Sequence, residues 1–231
     1  MARTKEFDPD AALRAALELF WRRGYEATSM SDLVEHLGVG RASIYATFGN
    51  KRELYLKALE RYEQGLLPEL LEELARPGPA LPGVRSLVRR YAAEATAEDE
   101  RGLLPDLLAD LARPGPALPG VRSLVRRYAV EATAEDLRGR GCFVTNTAAE
   151  LAPHDPVAAR RVERNWDRLE TVLHAALTRA RAQGELPAGR DPLTLARMLL
   201  VLLQGLRVVG KASQDPARVR DAAEQALALL D

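Results

Sequence analysis

The chain has 231 residues, 47% of them apolar or aromatic and 29% charged, the balance of a soluble globular protein with room for one large domain or two small ones. Lysine plus arginine number 33, as do aspartate plus glutamate, which excludes a global basic field and leaves any nucleic-acid affinity to a local patch. The single cysteine, Cys142, excludes an internal disulfide, and the opening MARTKEFDPD lacks the apolar core of a secretory signal; both point to the cytoplasm.

Helical signals dominate, and no run of alternating apolar and polar residues stands out as a strand. Asp8-Pro9 reads as an N-cap with a first-turn proline, Leu13, Leu17 and Phe20 form an apolar stripe, and Gly24 ends the helix. Thr28 or Ser29 caps a short helix to about Leu37. Gly38–Gly40 is a turn, and a second short helix runs from Arg41 to about Phe48. Asn50 caps a long helix, with Glu53 completing a capping box. After Arg140 a helical pattern resumes to about Leu151. Asp155-Pro156 opens a long helix with the stripe Val162, Trp166, Leu169, Leu173, Leu177 and Ala180, ended by Gly184. Asp191-Pro192 opens an apolar helix to about Gly210, and Asp215-Pro216 opens the last. The run LARMLLVLLQGLRVVG is interrupted by Arg197, Gln204 and Arg207 and reads as a buried helix, too short and too polar to span a membrane.

Between these elements lies a repeat. Residues 65–101 match 102–138 at 32 of 37 positions, differing at Glu69/Asp106, Glu72/Ala109, Glu73/Asp110, Ala93/Val130 and Glu100/Leu137. A solenoid needs three or more repeats to bury a continuous core, so two near-identical copies read as a recent tandem duplication. Each contains an amphipathic helix. Its apolar face is Val84, Leu87, Val88, Tyr91, Ala92 and Ala95 in the first copy and Val121, Leu124, Val125, Tyr128, Ala129 and Ala132 in the second. Both copies are expected to be helical, adding a layer to the domain that holds them.

The stretch Gly24–Leu59, GYEATSMSDLVEHLGVGRASIYATFGNKRELYLKAL, carries the most specific pattern. Two short helices joined by a tight glycine turn make a helix-turn-helix. Leu33, Val34, Leu37, Val39, Ile44 and Phe48 pack inward. Arg41, Ala42, Ser43 and Tyr45 are left on the outer side or at the start of the second helix, where a recognition helix meets base edges. Arg41 suits a bidentate contact with guanine, Ala42 a thymine methyl, and Ser43 and Tyr45 phosphate oxygens. Thr28 and Ser29 stand at one flanking helix N-terminus and Lys51 at the other, where helix dipoles favour an anion. Charge adds nothing here, because residues 1–55 hold eight Lys/Arg and eight Asp/Glu.

ALELFWRRGYEATSMSDL, followed by HLGVGRASIYATFGNKRELYLKAL, closely resembles the N-terminal domain of the TetR/AcrR family of bacterial repressors. The glycine of RRGY, the threonine before the second helix, the GV turn, the IY..F core and the NK.EL entry to the fourth helix all match; Gly40 stands where many members have Ser or Ala. The resemblance implies an all-α fold, with a three-helix DNA-binding domain over residues 1–55 and a helical ligand-binding and dimerisation domain over 56–231. It implies that Thr28, Ser43, Tyr45 and Lys51 contact the DNA backbone and that Arg41 and Ala42 contact bases. It further implies a homodimer, for which Trp166, Leu169, Leu173, Leu199, Leu203 and Leu206 are candidates, and a pocket for a small-molecule inducer. Pocket candidates are Tyr62, Tyr91, Tyr128, Cys142, Phe143, Asn146 and Trp166, with Cys142 near a helix start a possible target for electrophiles. Removing one repeat leaves 194 residues, a usual length for the family.

One cysteine and the scattered His36, His154 and His174 lack metal-ligand spacing, and no cofactor motif is present. A Cys142–His154 catalytic pair has no orienting partner or oxyanion loop, so no enzyme is expected. The expected function is a dimeric repressor released from a palindromic operator by a ligand. The alternative is a helical dimerisation or adaptor module whose DNA response is impaired by the duplication.

Overall fold

Residues 7–66, 115–134 and 139–230 are described by the structure, a computed structural model, and every regular element among them is an α-helix. In chain order these are α1 (Pro9–Arg23), α2 (Met30–Leu37), α3 (Arg41–Phe48), α4 (Lys51–Leu66), α5 (Leu118–Thr133), α6 (Phe143–Glu150), α7 (Pro156–Ala182), α8 (Pro192–Ala212) and α9 (Ala217–Ala228). Local chemistry sets most boundaries. Asp8 accepts from the Asp10 amide and Asp191 from the Thr194 amide, each just ahead of a first-turn proline. The last helix departs slightly from this pattern: Pro216 is itself the N-cap, and α9 begins one residue later.

The described chain divides into two compact units, and the division does not follow a cut after residue 55. The first unit joins residues 1–63 to Cys142–Val162; the second joins Gln64–Gly141 to Glu163–Asp231. The reason is side-chain pairing that local patterns do not reveal: α6 and the start of α7 bury their apolar and polar groups among those of α1 and α4. Phe20, Tyr55 and Phe143 are fully buried, and the Tyr55 ring meets those of Phe20, Tyr25 and Phe143 at centroid distances of 5.0 Å each.

In the second unit α5 is the central element. Val121, Leu124 and Val125 are fully buried and Tyr128 and Ala132 nearly so, together with Leu173 and Leu177 of α7, Leu199, Leu203 and Leu206 of α8, and Val219, Ala223 and Leu227 of α9. The Glu185 carboxylate accepts from the Ala117 and Leu118 amides at 2.7 and 3.1 Å, satisfying N–H groups at the start of α5. α5 and α8 approach closely enough that a Cβ on Gly210 would lie 2.1 Å from the Ala132 carbonyl oxygen.

The apolar face expected for the second repeat is therefore the face that fills this core. The first repeat, including Tyr91, lies outside the described residues. Within α5 the two copies differ only at Val130, which is 68% exposed. By length and composition an 18-residue stretch within the 21-residue α8, with a mean hydropathy of 1.6, is apolar enough to cross a membrane, against the expectation that the run is too short and too polar. Its apolar stripe, however, is used in packing: Leu195, Ala196, Leu199, Leu203 and Leu206 are all buried among the helices of the second unit.

A second correction concerns the leucines expected at a dimer interface. Leu169, Leu173, Leu199, Leu203 and Leu206 belong to the core of a single chain. A 3.6-residue period announces that a helix has an apolar face without naming what covers it. The exposed apolar residues of α8 are Val201, Val208 and Val209.

Truncating Leu124 to alanine is expected to lower unfolding stability by about 2–5 kcal/mol through lost burial and a residual cavity. Val130→Ala should change it by less than about 0.5 kcal/mol. Urea titrations of the two variants check the contrast.

Candidate nucleic-acid interface

The first unit presents its short helices through a series of local caps. Ser29 is the N-cap of α2. Its hydroxyl oxygen accepts from the Asp32 amide at 3.1 Å, while the Asp32 carboxylate accepts from the Ser29 amide at 2.7 Å. The Ser29 side-chain and backbone hydrogen bonds hold the Asp32 carboxyl below its ordinary value. α2 ends at Gly38, whose φ of 63° lies in the left-handed region. α3 starts from Gly40, which provides no side-chain cap.

On α3, Ile44 and Phe48 point into the core, and Arg41, Ala42 and Tyr45 are exposed, with Ser43 half-buried. The N-terminal half of this helix thus faces solvent. Arg41 extends across to α2, its Nη2 donating to Ser31 Oγ at 3.0 Å. At the start of α4 the expected capping box is present: the Glu53 amide donates to Asn50 Oδ1 at 3.0 Å and the Asn50 amide to Glu53 Oε2 at 2.8 Å.

Two residues named from the sequence have surroundings it did not disclose. Thr28 is fully buried and its hydroxyl donates to the Gly24 carbonyl at 2.7 Å, so its side chain braces the α1–α2 turn. Lys51 is half-buried, its ammonium 4.2 Å from the centre of the Tyr25 ring.

The segment Cys142–Val162 supplies the remaining supports. Thr147 donates its hydroxyl proton to the Phe143 carbonyl, which leaves the Tyr55 hydroxyl as donor to Thr147 Oγ1 at 2.9 Å. Burial raises the Tyr55 phenol well above its ordinary value. The Glu150 carboxylate accepts from the Tyr25 amide at 2.6 Å and the Glu26 amide at 3.4 Å. Asp155 is buried, receives the Arg52 guanidinium in a two-point fork, and accepts from the Val157 amide at 2.8 Å at the start of α7. Arg161 reaches Glu60 and Glu63 on α4. Sequence reasoning missed Glu150, Asp155 and Arg52 as parts of the head, since no local spacing links residues about a hundred positions apart.

The candidate pocket residues take varied positions. Phe143, a candidate pocket residue, is fully buried in the aromatic core of the first unit, and Asn146 is also buried. Cys142 is the half-buried N-cap of α6, with the Tyr62 hydroxyl 3.8 Å from its sulfur. In the second unit Tyr128 packs in the core under the Arg207 guanidinium, 4.6 Å from the ring centre. Trp166 is half-buried, and its indole Nε1 is shielded from solvent without a hydrogen-bond partner among the described residues.

This arrangement has clear relatives. The family model described as bacterial regulatory proteins, tetR family, matches residues 12–58, and the one described as tetracyclin repressor-like, C-terminal domain, matches residues 117–226. The HTH-type transcriptional regulator YezE of Bacillus subtilis is 32% identical over the full length of both chains. The chain belongs to the TetR family of bacterial regulatory proteins. As a TetR-family protein it is a helix-turn-helix transcriptional regulator and not an enzyme.

Another relative is the HTH-type transcriptional repressor ComR of Escherichia coli, 28% identical over 89% of this chain and 80% of its own. Among solved structures, the TetR-family regulator CifR, as a cysteine mutant complexed with 26-base-pair double-strand operator DNA, is 25% identical with a TM-score of 0.66, covering all of both chains. A second CifR structure with operator DNA gives 27% identity and a TM-score of 0.68 over 99% of this TetR-family chain and all of that one. The C-terminal family match begins at residue 117, inside the second repeat.

The Arg52–Asp155 fork gives this regulator an acid-sensitive support. Arg52 is the main cause of the Asp155 carboxyl falling from an ordinary 3.8 to about 2, the Ala158 and Val157 amides assist, and burial opposes. The folded-state value lies below the unfolded one, so the contribution is complete above pH about 4 and is lost as pH falls toward 2. Asp155→Asn should therefore be less stable than the parent at neutral pH, and the difference should shrink across that acid window. Chemical unfolding followed by circular dichroism at stepped pH checks it.

Proposed function

We propose that this chain is a homodimeric repressor that reads a palindromic operator in the cytoplasm and releases it when a small molecule or electrophile binds. The observation that carries the reading is the solvent-facing start of α3, with Arg41, Ala42 and Tyr45 outward while Ile44 and Phe48 anchor the helix from within. Arg41 is the guanine reader and Ala42 the partner of a thymine methyl. Ser43 and Tyr45 meet the phosphate backbone, with Ser29 and Lys51 at the two flanking helix starts. Thr28 contributes through the backbone it braces. The repressor named ComR and the CifR complex with operator DNA support this direction.

A dimer follows from the limited reach of one recognition helix, because two-fold pairing doubles the sequence read. The face we assign to it is the outward stripe of α8, Val201, Gly205 and Val208, together with the small exposed residues Thr171, Ala175 and Thr178 of α7. Val201 is 71% exposed, an apolar side chain that a second chain would remove from water. Cys142, the only thiol in the chain, is the group an electrophile would modify. The repeat is a tandem duplication within the sensor part, and the second copy holds the position of the family helix. That assignment is supported by the burial of its apolar face and by where the C-terminal family match begins.

Selection of bound fragments from random duplex should return one palindrome, with affinity falling steeply as salt rises. Arg41→Ala should relax preference at one base per half-site, a loss of about 1–3 kcal/mol, whereas Lys51→Ala should weaken all duplexes alike and flatten the salt slope by about one unit. Equal effects of the two changes would overturn their assigned roles. Paired Val201→Glu and Val208→Glu substitutions should convert the dimer to monomer in sedimentation velocity, with the helix content unchanged.

A further inference from the structure

The α1–α2 turn is held from below by a carboxylate. Gly24, at φ 88°, ends α1, and a Cβ there would fall 2.5 Å from Glu150 Oε1. The bare glycine is the seat for that side chain, and the next two amides, of Tyr25 and Glu26, donate to Glu150 Oε2. The same turn leads to two groups of the proposed DNA-reading surface. The Thr28 amide donates to the Tyr25 carbonyl, which places Ser29 at the start of α2. The Tyr25 ring, stacked edge-on against Tyr55, lies under the Lys51 ammonium. A path of contacts thus runs from Glu150 through the Tyr25 backbone and ring to a cation at the start of α4.

We propose that Glu150 is a positioning residue for DNA binding: it fixes the α1–α2 turn so that Tyr25 shelves Lys51 toward a phosphate. The inference rests on the DNA-binding reading above. Glu150 is negatively charged, so by simple Coulomb repulsion its removal should strengthen attraction to a duplex. A positioning role gives the opposite sign. The carboxylate acts as an acceptor for two amides, a duty that the amide oxygen of glutamine can largely take over.

The test measures binding of the full-length chain to its selected operator and to random duplex across a salt series. Glu150→Ala is expected to weaken both duplexes by about tenfold while leaving base preference unchanged. Glu150→Gln is expected to restore most of the loss. In a Lys51→Ala background the Glu150→Ala effect should largely vanish, because the two residues act on one contact. A merely structural role lowers the thermal midpoint and leaves the two substitutions additive. Unchanged or tighter binding by Glu150→Ala, or an undiminished effect in the Lys51→Ala background, overturns the proposal. Amide hydrogen exchange gives a readout free of DNA: Glu150→Ala should speed exchange at Tyr25 and Glu26, and unchanged rates there overturn it as well. If the parent chain binds no duplex, the DNA-binding reading fails, and the exchange rates still decide whether Glu150 holds the turn.

Discussion

Two eight-residue helices cannot hold a reading surface in place alone. A helix of that length forms few internal hydrogen bonds for the cost of its nucleus, and its orientation must be supplied by what it packs against. In this chain the supply comes from a distant segment. Tyr55 donates to Thr147, Arg52 grips Asp155, and Glu150 holds the two amides after Gly24. Each of these bonds joins the first sixty residues to a stretch beyond residue 140. The DNA-reading head is therefore a composite of two chain segments, and its geometry depends on polar contacts that are buried or half-buried, where a lost partner leaves an unsatisfied group.

The same facts explain which features were legible in the sequence. Helix starts were, because Asp-Pro pairs and Asn50 with Glu53 act within four residues of each other; for α2 the sequence left Thr28 and Ser29 open as caps, and Ser29 with Asp32 forms the box. The outward set on α3 was legible too, because Ile44 and Phe48 fix the inner side of an eight-residue helix and leave little choice for Arg41 and Ala42. Pairings at long separation were not. Gly24 was readable as a helix end, but nothing near it names Glu150. Leu199, Leu203 and Leu206 were readable as an apolar stripe, yet periodicity could not say whether α5 or a second chain covers it.

Lys51 and Thr28 show the middle case. Both were marked by their places at helix starts and both stand there. The cation's position is set by the Tyr25 ring beneath it, and the threonine hydroxyl is turned inward to Gly24. A motif names the residue types and leaves their second contacts open. Those second contacts decide whether a side chain meets a ligand directly or holds a neighbour that does.

The exposed position of Val130 has a genetic consequence. It is the one site within α5 at which the two repeats have diverged, and it faces water while its neighbours fill the core. Every side chain that the surrounding helices touch is thus encoded twice in the same gene. Deletion of either of these tracts, identical at 32 of 37 positions, would leave a shorter chain that retains the full set of buried α5 residues. The core of the second unit is thus indifferent to which of the two tracts encodes its central helix.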